Sequence, residues 1–329
     1  MSTLIFFKLL AIFVVVALGW VVGKLKWLGP SNEFSDPART LSNAAFYIFI
    51  PALLFRTTAR VDFTTLPWAT LAAFFVPVLL MLAAVYVWQR RLNRSGRLPA
   101  AAPSVRAISA TFGNTIQVGI PMAAALFGEA GLAIHITIVS LHALILLTVL
   151  TALVELDIER ERRQQGHSNA HLLQTLGKTV RNTIIHPVVL PVLSGLLWNA
   201  LGWPLPTVAD ELLLTLGQAV VPLCLVLIGM SLAYYGTTGA VKGALALSVL
   251  KLLVLPAVVL LIGHWGMGLN GLALSVAVMM AALPVGSNAL IFSQRYETLE
   301  SEATAAIVFS TLGFLLTAPL WLMLLARFH

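Results

Sequence analysis

Two apolar stretches of this chain are interrupted near their midpoints by polar and small residues. Residues 107–127 contain the segment GNTIQVGIP at 113–121, and residues 272–292 contain LPVGSN at 283–288. Each stretch has about 20 residues, the length that an α-helix needs to cross a bilayer. Proline removes a backbone donor, and lipid cannot pair the carbonyl groups that a broken helix leaves free. The pattern therefore predicts two broken membrane helices that line a cavity.

Other apolar runs of similar length predict an all-α integral membrane protein. The chain has 59% hydrophobic and 10% charged residues, whereas soluble proteins have about 45–50% apolar and about 25% charged residues. No run has the alternating pattern of a membrane β-barrel. Ten transmembrane helices are predicted, at residues 3–22, 38–58, 66–88, 106–127, 131–155, 182–202, 208–233, 240–264, 270–293 and 303–326.

The distribution of basic residues predicts the orientation of these spans. Of the 20 Lys and Arg residues, only Arg56, Arg60 and Arg327 fall in the loops on one side, while most of the others fall in the loops on the opposite side. Because basic residues in short loops stay in the cytoplasm, both termini are predicted to be non-cytoplasmic. The lipid bilayer explains the net charge of +7 without a nucleic-acid partner.

The polar segment 157–181 lies between two groups of five spans. An odd number of spans per group predicts two repeats of opposite orientation, at residues 1–156 and 182–329, joined by a cytoplasmic linker. Prolines recur at roughly corresponding places, as the pairs Pro51 and Pro222, Pro77 and Pro256, and Pro121 and Pro284. Simple kinks are the alternative, and they are favoured for the second pair. One break in each of two inverted halves points to the substrate site of a secondary transporter.

The polar residues at the breaks are the candidate substrate-binding residues. With two prolines and one lysine inside a span, the set is Asn114, Thr115, Gln117, Pro121, Pro284, Ser287, Asn288 and Lys251. Crossing broken helices would offer unpaired N–H groups and positive dipole ends to a small organic anion, and amide side chains also donate to carboxylates. Helix capping is the alternative role for Asn114 and Asn288, and snorkelling to the headgroups is the alternative for Lys251.

The remaining candidate chemistry is sparse. His135 and His142 share a helix face, which leaves either proton coupling or polar packing open. The sequence has no His-Glu-x-x-His, Gly-x-Ser-x-Gly or phosphate-binding glycine motif, and its single cysteine, Cys224, has no partner. We therefore predict no enzyme activity, no cofactor and no metal site.

Several motifs resemble the auxin efflux carrier family of bacteria and plants. They read FIPALLF at 49–55, GN…GIP at 113–121, LKL…P at 250–256, ALP…RY at 282–296 and STL…TAPL at 310–320. The resemblance covers nearly the whole chain. It implies two inverted five-helix repeats, broken and crossing helices 4 and 9, and separate scaffold and transport domains, similar to bile-acid symporters and sodium/proton antiporters. The expected assembly of the chain is a homodimer.

The resemblance also implies elevator-type movement of organic anions such as auxin, malonate or other dicarboxylates. Export is the leading prediction, since a negative interior favours anion exit by about 2.3 kcal/mol per charge at 100 mV. Sodium- or proton-coupled uptake is the alternative, with Asn114, Gln117 and Asn288 as sodium ligands. A sensor or scaffold without flux is a further class. The resemblance to bacterial members implies a location in a bacterial inner membrane. The chain departs from the family at His186-Pro187, where Asn-Pro is frequent, and its linker is short compared with the long cytoplasmic loop of the plant members.

Cysteine labelling tests the predicted orientation. In a Cys224→Ala background, we expect a membrane-impermeant maleimide to label Arg94→Cys only in inverted vesicles, because this position lies in a basic loop that is predicted to be cytoplasmic. Asp210→Cys should be labelled only in right-side-out vesicles. Labelling at position 94 from the outside would contradict the orientation.

Overall fold

A computed structural model of the protein describes residues 3–29, 37–60, 67–93, 98–164, 181, 184–185, 187, 189–235 and 241–328. Within these ranges the regular structure is helical, and no strand is present. His186 and most of the linker, residues 165–180, lie outside the described residues. The linker and the role of His186 therefore stay predictions.

The helices follow the apolar runs of the sequence. In chain order they are α1 (Thr3–Lys24), α2 (Pro37–Ala44), α3 (Ile50–Ala59), α4 (Trp68–Leu92), α5 (Ala102–Thr111), α6 (Gly119–Gln164), α7 (Val189–Ala200), α8 (Thr207–Gln218), α9 (Val220–Tyr235), α10 (Val241–Val249), α11 (Leu255–Leu260), α12 (Gly271–Ala282), α13 (Asn288–Arg295) and α14 (Glu300–Leu325). Within the described residues, π-helical segments continue these helices at Ala45–Phe49, Leu250–Val254 and Leu261–Gly266.

Among the described residues, four helices are long and apolar enough to cross a membrane. They are Trp68–Leu92, Gly119–Ile158, Val241–Gly266 and Glu300–Leu325. The prediction of an all-α, multi-pass membrane protein is confirmed at this level. The count of ten spans and the inverted repeats stay predictions.

Helix α6 contains a sharp change of direction at Gly128. This residue has φ +65° and ψ −161°, a conformation that is open to glycine and strained for other residues. The helix is therefore two helical segments, 119–127 and 129–164. The sequence separates its fourth and fifth predicted spans at the same place.

The described chain divides into two compact units. The first combines Met1–Pro67, Thr115–Ser140 and His186–Gly236, and the second combines Trp68–Asn114, Leu141–Ile185 and Thr237–His329. Each unit thus draws on both halves of the sequence, whereas each predicted repeat is a continuous stretch of chain. The compact units and the predicted repeats therefore divide the chain at different places.

Close helix packing and the ion pairs of Asp210 with Arg56 and Arg60 stabilise the first unit. A β-carbon on Gly229 would lie only 1.9 Å from the Val16 carbonyl oxygen, so that α9 and α1 pack with their backbones almost in contact. Small residues permit such close approach between membrane helices. Arg56 donates to both carboxylate oxygens of Asp210, at 2.9 and 3.2 Å, and this links α3 to the first turn of α8.

In the second unit, a largely buried ion pair joins α5 to α14. Arg106 donates from Nε and Nη2 to the two carboxylate oxygens of Glu302, at 2.7 and 2.9 Å, and from Nη1 to Gln89 at 2.9 Å. Glu302 is only 4% exposed. A β-carbon on Gly243 would lie 2.7 Å from the carboxyl carbon of Glu302, so α10 also packs against this pair.

A double-mutant cycle tests the importance of this pair. We expect Arg106→Met to lower the thermal stability of the purified protein in detergent, because it leaves the Glu302 carboxylate buried without its cation. The loss is on the order of 3 kcal/mol for a fully buried pair and smaller here, since Arg106 is partly exposed. Arg106→Met with Glu302→Met should recover part of the loss, and equal melting temperatures for the two variants would argue against this role.

Candidate functional site

Both interrupted stretches of the sequence are interrupted in the structure. Helix α5 ends at Thr111 and α12 ends at Ala282, and the next residue in each case, Phe112 or Leu283, has extended backbone angles. The chain becomes helical again at Gly119 and Asn288. The prolines stand at different places, because Pro284 lies inside its break whereas Pro121 lies in the first turn of α6.

The breaks at 112–114 and 284–286 pair with each other inside the second unit. Gly113 and Val285 form an isolated antiparallel β-bridge. The Asn114 N–H donates to the Pro284 carbonyl at 2.7 Å, and the Gly286 N–H donates to the Phe112 carbonyl at 2.9 Å. Each break thus supplies the partner that the other lacks, which satisfies backbone groups that lipid would leave unpaired.

The pairing changes one expectation from the sequence. The prediction that the breaks present unpaired N–H groups to a ligand is wrong for Asn114, Val285 and Gly286. The N–H groups of Asn114 and Gly286 donate across the bridge. The Val285 N–H donates to the hydroxyl oxygen of Ser310 at 2.9 Å. Ser310, on α14, was not among the predicted residues. Its only signal in the sequence is a hydroxyl within an apolar run.

Glycine is required at position 286 by this close approach. A β-carbon there would lie 2.7 Å from the Gly113 carbonyl oxygen and 3.2 Å from the Asn114 nitrogen. Real side chains do not tolerate such distances from backbone atoms. Gly286, the first residue of the segment GSN at 286–288, is therefore explained by packing rather than by contact with a ligand.

Lys251 lies beside the paired breaks and is fully buried. Its side chain is 0% exposed, and its ammonium group donates to the Ala281 carbonyl in the last turn of α12. The ammonium nitrogen is 3.3 Å from the place of a β-carbon on Gly113. The side chain thus points into the protein and does not snorkel. None of the ion pairs formed by the described residues involves Lys251.

The electrostatics at the bridge differ from the expected positive dipole ends. The helix ends that lead into the bridge are the carboxyl ends of α5 and α12, which carry partial negative charge. The Lys251 ammonium is placed to compensate this charge. A positive end lies two residues after Gly286, where α13 begins at Asn288.

Asn288 has an unsatisfied polar atom at this helix start. The side chain is 7% exposed, and its Oδ1 has no hydrogen-bond partner among the described residues. Most buried polar side-chain atoms are paired, so an exception needs an explanation such as a ligand or ion that binds there. Neighbouring Ser287 is half-buried and accepts the Ile291 N–H through its carbonyl at 3.1 Å.

The other candidates divide between the two units. Asn114, Pro284, Ser287, Asn288 and Lys251 belong to the second unit. The remaining three, Thr115, Gln117 and Pro121, belong to the first unit and are buried there. The roles assigned to these residues in substrate binding stay predictions.

The two candidate histidines have different surroundings. In the first unit, the Nε2 of His135 donates to the Thr115 carbonyl at 2.8 Å. In the second unit, His142 lies against the rings of Phe112 and Phe74, with centroids 4.4 and 5.8 Å away. These contacts agree with polar and aromatic packing. The described residues contain no group of three His, Cys, Asp or Glu side chains that could hold a metal ion.

Comparison with known proteins identifies similar chains. A family model described as "membrane transport protein" matches residues 4–322. A protein of Methanothermobacter thermautotrophicus named an uncharacterized transporter is 26% identical, over 95% of both chains. The uncharacterized transporter YfdV of Escherichia coli is 25% identical over 98% of both. Auxin efflux carrier component 5 of Arabidopsis thaliana is 22% identical, over 94% of this chain and 92% of its own.

The contact of Lys251 with the carboxyl end of α12 can be tested through stability. We expect Lys251→Met to lower the melting temperature of the protein in detergent, because the Ala281 carbonyl loses its donor inside the protein. A buried unsatisfied acceptor costs about 1–3 kcal/mol. Lys242→Met, which removes an exposed lysine of the same unit, is the matched control and should melt like the wild type. Equal melting of both variants would show that the contact contributes nothing.

Proposed function

The chain belongs to the membrane transport protein family, which includes the auxin efflux carriers, and from this premise we propose that it exports small organic carboxylate anions as a secondary transporter. The family consists of transporters and not of enzymes. The proposed mechanism is elevator-type alternating access, in which a body that carries the substrate moves through a stationary scaffold. The substrate class includes auxin-like monocarboxylates and malonate-like dicarboxylates.

The observation that carries the anion proposal is the buried ammonium of Lys251. A cation that is removed from water is costly unless an opposite charge compensates it. The carboxyl ends of two helices supply only partial negative charge at this place, and none of the ion pairs among the described residues reaches the ammonium. A substrate carboxylate near the bridge would complete the compensation, so an anion is preferred over a neutral or cationic solute.

The start of α13 is the proposed carboxylate contact. Its N–H groups form the positive end of a helix dipole, which favours an anion by about 0.3–1 kcal/mol in exposed settings and by up to about 2 kcal/mol when partly buried. The side chains of Ser287 and Asn288 add donors at the same end, and Asn114 adds an amide at the other break. These three residues are the proposed hydrogen-bond donors to the substrate.

The division into two compact units supports an elevator mechanism. The second unit holds the paired breaks together with Lys251, Ser287 and Asn288, and we assign it the part of the moving body. The first unit, with its closely packed α1 and α9, is assigned the part of the scaffold. A negative cell interior would drive export of an anion without any coupled ion.

One observation favours a second candidate, cation-coupled uptake. The Oδ1 of Asn288 is a buried acceptor that has no donor among the residues that the structure describes. Side-chain amide oxygens are ligands of hard cations, so this atom also suits a sodium ion. Dependence of flux on a sodium gradient in proteoliposomes would favour this candidate over uncoupled export.

A ligand screen combined with a flux measurement tests the proposal. We expect one class of mono- or dicarboxylates to raise the melting temperature of the protein and to support counterflow in proteoliposomes. Asn288→Ala should weaken the interaction about tenfold, the effect of losing one hydrogen bond to a charged group. Asn270→Ala, an exposed asparagine at the start of α12, is the matched control and should bind like the wild type.

The possible results separate the hypotheses. Binding that is unaffected by both Asn114→Ala and Asn288→Ala would argue against the assigned contacts. Binding in detergent without counterflow would indicate a sensor rather than a carrier. Counterflow of neutral solutes but not of carboxylates would contradict the anion proposal.

A further inference from the structure

A depression of about 460 Å³ lies in the second unit, away from the paired breaks. It is formed by the end of α4, the turn before α5 and the last part of α6 within the described residues. Its polar lining includes Arg90, Arg91, Arg160, Asp157 and Glu161. The volume is in the range of about 300–1,000 Å³ that is typical of sites for small molecules. None of the residues proposed to bind the transported anion lines it.

Asp157 organises this depression. The side chain is 8% exposed and accepts hydrogen bonds from the Tyr86 hydroxyl at 2.8 Å and from Arg160 at 3.1 Å. It also pairs with Arg90 at 3.3 Å. One buried carboxylate therefore fixes a guanidinium group from α4 and another from α6. The sequence places Asp157 at the start of the polar segment that predicts a cytoplasmic linker, and its burial is not evident from that pattern.

The two arginines keep most of their donors for a ligand. A guanidinium group has five N–H donors, and the side chains of Arg90 and Arg160 are 46% and 49% exposed. A third arginine, Arg91, lines the same depression and takes part in no ion pair among the described residues. Three guanidinium groups against two carboxylates leave a positive excess. Clustered arginines are suited to the several oxygens of a phosphate group.

The rest of the wall is apolar and lies at the end of a membrane helix. Val87, Leu98 and Pro103 line the depression beside the arginines. Next to Val87, the exposed Trp88 marks the level where tryptophan is enriched, at the boundary of lipid and water. Basic pockets at this level bind lipid headgroups. An apolar wall would accept the glycerol part of such a headgroup.

From this arrangement we propose that the depression bounded by Arg90, Arg91 and Arg160 is a binding site for a phosphate group, separate from the transport site. The phosphate belongs either to an anionic phospholipid headgroup or to a soluble phosphorylated compound. Because the ligand would hold the end of α4 to the end of α6, its binding stabilises the second unit.

Two sets of probes distinguish the sources of the phosphate. The full-length protein is tested in nanodiscs of phosphatidylcholine with or without phosphatidylglycerol, and in detergent with or without inorganic phosphate. A lipid ligand predicts a higher melting temperature with phosphatidylglycerol only. If the ligand is soluble, inorganic phosphate in detergent also raises the melting temperature. Stabilisation by neither probe would overturn the proposal.

Two variants then test the site itself. Arg91→Gln leaves the Asp157 network intact, and we expect it to weaken the response to the active probe about tenfold, the loss of one charged hydrogen bond. Arg90→Gln with Arg160→Gln should weaken it further. Lys242→Gln, an exposed basic residue of the same unit outside the depression, is the control and should respond like the wild type. An unchanged response in Arg91→Gln and in the double variant would also overturn the proposal.

Discussion

The backbone groups of an interrupted membrane helix must find partners inside the protein, and this constraint explains the arrangement of the second unit. Lipid offers no donors or acceptors, and an unsatisfied backbone group there costs several kcal/mol. The breaks after α5 and α12 meet this requirement by pairing with each other through Gly113 and Val285. Close pairing excludes a side chain at Gly286 and recruits the Ser310 hydroxyl from α14. The need to pair these backbone groups thus explains why position 286 is glycine and why position 310 carries a hydroxyl group.

The same pairing determines the charge at the bridge. Two helix carboxyl ends lead into it, so the local partial charge is negative, and a buried lysine is the natural counterpart. Lys251 is held there by the π-helical segment Leu250–Val254, whose Leu252 carbonyl accepts a hydrogen bond from Trp321 at 2.8 Å. A π-helical turn widens the helix and frees backbone carbonyls for such contacts. The position of the Lys251 side chain therefore depends on the π-helical segment as well as on the amino-acid sequence.

The sequence was sufficient for features that depend on local composition, and insufficient for those that depend on distant partners. Apolar runs predicted the helices, and prolines with small residues predicted both breaks, because each feature is encoded within about 20 residues. The polarity of the bridge was not predictable, since it depends on which helix ends meet. Ser310 and Asp157 were missed for a similar reason. A lone serine in an apolar run and an aspartate in a charged segment have ordinary local surroundings, and only their contacts with other helices reveal their roles.

A moving body must keep its internal bonds while it travels, and the paired breaks meet this condition. The bonds from Asn114 to Pro284 and from Gly286 to Phe112 lie wholly within the second unit, as does the contact of Lys251 with Ala281. A displacement of this unit as a whole would leave all of them intact, and no backbone group of the bridge would be exposed to lipid on the way. Rocking of one break against the other would instead separate these pairs at a cost of several kcal/mol. The hydrogen bonding therefore favours rigid-body movement over a rearrangement of the bridge itself.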